Sequence, residues 1–91
     1  MFQYDYNIFP DNNPEKFKET CQEIQSKYPQ AVKKDLLVDV DGSTIQVFVI
    51  DGKEIAVYDD YDIGAVFVKS EIELRRAADL AKGIKEVIPG L

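Results

Sequence analysis

Histidine is absent from this chain of 91 residues, cysteine occurs once, and the stretch from 35 to 62 holds a single base, Lys53. Each shortage removes a class of function. Without histidine there is no Ser-His-Asp triad, no Cys-His pair and no imidazole ligand for a metal. A lone cysteine forms no internal disulfide, and Cys21 falls on the apolar stripe of a predicted helix, where an inert core thiol is expected. Gly42, Gly52 and Gly64 stand alone, so no phosphate-cradling loop is present. No apolar run approaches the roughly 18 residues that span a bilayer. The opening Met1-Phe2-Gln3-Tyr4-Asp5-Tyr6 has neither the basic start nor the apolar segment of a signal peptide. The expectation is a cytoplasmic, non-enzymatic protein with no catalytic residues, no cofactor and no metal.

Acid is what the chain has in one place. Residues 35 to 62 carry eight carboxylates (Asp35, Asp39, Asp41, Asp51, Glu54, Asp59, Asp60 and Asp62) for a local net charge of −7, although the whole chain carries only −6. Nucleic acid and anionic membranes are disfavoured as partners, because both require clustered Lys and Arg. A basic protein is favoured, against the plainer reading that acidity serves solubility alone.

The same stretch has the pattern of strands. Leu36 to Val40, Thr44 to Ile50, Lys53 to Tyr58 and Ala65 to Val68 are apolar runs separated by Asp41-Gly42, Asp51-Gly52 and Asp59-Asp60-Tyr61-Asp62. This predicts a four-stranded antiparallel meander. A two-residue loop at Asp41-Gly42 pairs Val38 with Ile45. At Asp51-Gly52 the choice is between a two-residue loop and a three-residue loop with Gly52 in a bulge. The longer loop gathers Val38, Val40, Ile45, Val47, Val49, Ile55 and Val57 on one face, so it is preferred. The opposite face then carries Leu37, Thr44, Gln46, Phe48, Glu54, Ala56 and Tyr58.

Before the meander, Phe2, Tyr4, Tyr6 and Ile8 alternate with polar residues as in a half-buried strand. Asn13 and Pro14 then read as N-cap and first position of a helix whose stripe is Phe17, Cys21, Ile24 and Tyr28, stopped by Pro29. A second helix is predicted from Ser70, with Glu73 completing a capping box and Leu74, Ala77, Ala81, Ile84 and Ile88 as its stripe. Residues 1–91 thus form one domain of the α+β class. The expected order is β-α-β-β-β-β-α: two layers, a five-stranded antiparallel-rich sheet with both helices on one face.

The candidate protein-binding residues are Asp59, Asp60, Tyr61 and Asp62, taken as a solvated turn, with Tyr58 and Phe48 on the open sheet face. Three neighbouring acids repel one another by about 1 kcal/mol per pair at ~4 Å in water, so such a turn suits a cationic partner better than it suits stability. Tyrosines beside acids supply contact area at low entropic cost. Asp60, Asp62 and Glu71 fall at three positions of a calcium-loop frame, but Gly64 and Ala65 break it, and no metal site is assigned. Two functions fit. One is an inhibitor or immunity-type protein that binds a basic partner. The other is a small structural or regulatory subunit that homodimerises through the open sheet face.

Overall fold

The structure is a computed structural model and describes residues 2–74. The elements in chain order are β1 (Tyr4–Phe9), α1 (Pro14–Lys27), β2 (Val32–Lys33), β3 (Leu37–Val38), β4 (Thr44–Ile50), β5 (Lys53–Asp60) and β6 (Ala65–Ser70). The strands form one antiparallel sheet in the order β1-β6-β5-β4-β2, with β3 also paired to β4. The α+β class and the antiparallel sheet are as the sequence predicts. Among the described residues there are six strands rather than five, and one helix.

Helix α1 begins where its sequence says. The Asn13 side chain accepts from the Lys16 N–H at 3.0 Å, and Pro14 occupies a position where its missing N–H costs nothing. Thr20 and Ile24 are buried, and Phe17, Cys21 and Tyr28 pack against the same core from the flanks. The Thr20 hydroxyl is satisfied by donating to the Lys16 carbonyl at 2.7 Å. The helix lies across β5 and β1 on one face of the sheet.

The second helix predicted from Ser70 to Ile88 lies, beyond Leu74, outside the described residues. At its expected start β6 runs on through Ser70. The Ser70 hydroxyl is fully buried and folds onto Ile72, accepting from its N–H and donating to its carbonyl, so it makes a tight local turn there. Leu74 then donates its N–H to the Tyr6 hydroxyl at 2.8 Å and buries its side chain in the core.

The register of the β4–β5 hairpin departs from the sequence expectation. Ile50 pairs with Lys53, Phe48 with Ile55 and Val47 with Ala56, which defines a two-residue loop at Asp51-Gly52. Both loop residues have positive φ, 51° at Asp51 and 79° at Gly52, as the tight hairpin turn of that length requires. Directly opposed residues share a face, so Gln46, Phe48, Ile50, Ile55 and Val57 look toward the helix. Ile45, Val47, Val49, Glu54, Ala56 and Tyr58 take the other side. Phe48 is therefore a core residue with no exposed surface, and its expected place on the open face is corrected.

The outer edge differs too. The Leu36–Val40 strand is reduced to Leu37–Val38, and an additional short strand, Val32–Lys33, lies before it. Leu37 pairs with Ile45 and Val38 with Thr44, so the link around Asp41-Gly42 is longer than two residues. Lys33 pairs with Phe48, and Lys34 donates its N–H to the Val47 carbonyl. Asp35 and Leu36 are left opposite the single residue Gln46, which makes β2 and β3 one edge strand with a bulge. The buried Gln46 amide fills the gap by donating to the carbonyls of Lys34 and Val47.

Candidate functional site

The four residues read as one acidic turn divide between two roles. Asp59 and Asp60 are the last residues of β5. Asp59 lies on the helix side of the sheet and is 2 % exposed. Its Oδ1 accepts from the backbone N–H of Asn13 at 3.2 Å and from Nδ2 of Asn12 at 3.3 Å. A carboxylate there meets the positive end of α1 and engages the residue that caps it. Asp59 is thus an anchor for the helix and is withdrawn from the candidate binding residues.

Asp60 shapes the turn that follows. Its Oδ1 accepts from the N–H groups of Asp62 at 2.8 Å and Ile63 at 2.9 Å, and its carbonyl accepts from Gly64 and from Nδ2 of Asn12. Gly64 closes the turn with a φ of 79°, a left-handed conformation that glycine adopts without strain. Tyr61, Asp62 and Ile63 are exposed at its tip.

A second loop joins this turn. The Tyr61 N–H donates to the Ser43 hydroxyl at 2.8 Å, and the Tyr61 ring lies along Gly42. Ser43 in turn donates its N–H to Asp41, and hydrogen bonds from its backbone and side chain hold the Asp41 carboxyl below its ordinary pKa. One end of the sheet therefore presents Asp39, Val40, Asp41, Tyr61, Asp62 and Ile63 together, all exposed. Sequence reasoning placed these loops in separate turns. The buried serine that links them gives no signal in the sequence.

Tyr58 extends this surface across the open sheet face. Its ring stacks on Phe67, 4.7 Å between centroids and 11° from parallel, because Tyr58 and Phe67 are directly opposed on β5 and β6. The Lys69 ammonium also lies over the Phe67 ring, 5.9 Å from its centre. Burial raises the Tyr58 pKa, and the carboxylates of Asp5, Glu54 and Asp60 raise it further. The phenol thus stays neutral, in the field of three acids. Beside it, Asp5, Asn7, Ile63, Ala65, Phe67 and Lys69 line a shallow groove of about 350 Å³. The sequence allows Phe67 to extend the apolar area of the open face, but Asp5 was not singled out. Pairing the first strand with the last, which the alternation of Asp5 and Asn7 with apolar residues permits, would have found it.

No group of three or more Cys, Asp or Glu side chains positioned to hold a metal occurs among the described residues. No described helix is long and apolar enough to cross a membrane. Cys21 lies on the packed flank of α1, and burial pushes its thiol from 9.0 up to about 12, against an opposing effect of Lys33. The folded state therefore keeps the thiol protonated at pH values where the unfolded chain ionises. Stability contributed by this group is complete below pH 9.0 and is lost as pH rises toward about 12. Urea midpoints measured across that range should fall less steeply for Cys21→Ala than for the native chain. An equal slope in both would remove Cys21 as a source of alkaline instability.

Comparison with protein-family models, curated proteins and solved structures finds no match to this chain.

Proposed function

We propose that this chain is a non-enzymatic protein-binding domain that holds a basic partner against the Tyr58–Phe67 face and the adjoining loop end. The observation that carries the reading is the stacked Tyr58–Phe67 pair with Asp5, Glu54 and Asp60 acting on it. Phe67 is itself 8 % exposed, so it holds the half-buried Tyr58 ring in place as the contact area, and the surrounding carboxylates select a cationic complement. Tyr61, Asp62 and Ile63 continue the same chemistry over the sheet end. Blocking a basic enzyme, in the manner of an inhibitor or immunity protein, is a use that this surface suits.

Association with a basic partner should be fast at low salt and slow at high salt, because the acids steer the approach. The test is chemical cross-linking of the tagged chain in extract of its native cell, followed by association kinetics with each protein recovered. Asp5→Asn, Glu54→Gln and Asp62→Asn together should slow association about tenfold or more at low salt and leave the melting temperature unchanged. Tyr58→Ala should shorten the lifetime of the complex. If no recovered protein associates more slowly with the triple variant, the acidic face is not a binding surface.

A further inference from the structure

The outer edge of the sheet carries a second surface of different character. Val32, Leu36, Leu37, Val38 and Val40 are all exposed large hydrophobics, gathered within nine residues of one edge strand. Edge strands are normally guarded by charges among their central residues, because their free backbone groups invite another strand. Here Leu36, Leu37 and Val38 form an apolar run, preceded by Lys33, Lys34 and Asp35 and followed by Asp39 and Asp41, so both bases lie on one side of it and two acids on the other. Asp39 and Asp41 each also accept a local N–H, from Val40 and Ser43, which fixes their side chains at the loop.

The backbone at this edge has free groups. Lys34 and Asp39 direct their N–H groups inward, to Val47 and Ser43. By the alternation of a strand, Lys33 and Val38 direct theirs outward, where no described strand meets them.

We infer that residues 32–41 pair antiparallel with the same residues of a second copy. A two-fold axis at Leu36 sets Leu36 of each copy together on the helix side of the sheet, where it lies by Phe17 and Cys21, and Leu37 of each beside Asp35 of the other on the open side. It also brings Lys33 and Lys34 of one beside Asp39 and Asp41 of the other. Asp35 apart, the pattern of sign along the strand is its own complement in that arrangement and in no parallel one. A two-fold pairing through the open sheet face lacks this property: Asp5, Glu54 and Asp60 lie together there, with Lys69 and Lys34 at separate places on that face rather than in a complementary order. The bulge at Asp35 and Leu36 shortens the shared ladder. The pair is therefore held mostly by apolar side chains and end charges, and it weakens as salt rises.

Sedimentation velocity on the full chain decides this. At low salt the native chain should sediment at twice its 10.3 kDa mass and return toward a single chain as salt is added. Lys33→Glu with Lys34→Glu makes both ends acidic, and Asp39→Lys with Asp41→Lys makes both ends basic. Each double variant alone should dimerise about tenfold or more weakly than the native chain, from the loss of several ion pairs and the gain of repulsion. An equimolar mixture of the two should form a heterodimer, which also shows that both are folded. Leu37→Lys, at an exposed position, should dissociate the pair without touching the end charges. A native chain that remains at 10.3 kDa at every concentration reached would overturn the inference. So would double variants that dimerise as tightly as the native chain, or a mixture that stays monomeric.

Discussion

Phe48→Ala should lower the unfolding free energy by about 3–5 kcal/mol, the range for removing a buried aromatic ring. Phe48 has no exposed surface and sits opposite Ile55 in a core that also contains Ile8, Ile24, Val57, Val66, Val68 and Leu74. Small domains have total stabilities on the order of 5–15 kcal/mol, so the variant would be largely unfolded under mild denaturant. Its neighbour supplies the control. Val47 points to the other face and is half-buried, so Val47→Ala should cost about 1 kcal/mol or less. In the longer-loop register the ranking reverses, with Val47 in the core and Phe48 on the surface. Urea denaturation of the two variants therefore tests the hairpin register in solution, and a larger loss for Val47→Ala would refute the two-residue turn.

The second large effect concerns Asp59. Asp59→Ala removes the acceptor for Asn13 N–H and Asn12 Nδ2 and takes a negative charge from the start of α1. Losing hydrogen bonds to a charged acceptor and a favourable interaction with the helix dipole should together cost about 2–3 kcal/mol. Asp62, three residues along, is exposed at the turn tip, and its neutralisation should be within about 0.5 kcal/mol of neutral. Thermal unfolding of both variants separates anchor from surface. Equal melting temperatures would mean that the carboxylate contributes nothing at the helix start.

How far the sequence could be read follows from these two residues. The strand pattern, the Asn13 cap and the α1 stripe were legible because each is a local signal: alternation, a capping side chain, a spacing of three and four. The face assignment failed at β4 because Thr44 to Ile50 is apolar on both sides, so maximising one β-branched face had no power to choose. Turn chemistry decided it instead. Asp51 tolerates a positive φ, and Asp-Gly closes a two-residue hairpin, which makes Phe48 rather than Val47 the core residue. Asp59 was misplaced for a different reason. Its partners are 46 and 47 positions away, and nothing around it distinguishes a buried acceptor from a solvated acid. The exposed residues Tyr61 and Asp62 and the half-buried Tyr58 remain where the sequence put them, on the accessible surface.

The tie between Asp59 and the start of α1 also bears on how the molecule opens. A helix whose first turn is secured by its own side chains alone can fray independently of its surroundings. Here Asn12 and Asn13 lean on the last residues of β5, so peeling the helix start away leaves Asp59 without its donors, and loosening the strand end deprives the helix of its acceptor. The beginning of the helix and the end of the strand should therefore open and close together, and Asp60 ties the loop tip that follows to both through its bonds to Asn12, Asp62 and Ile63.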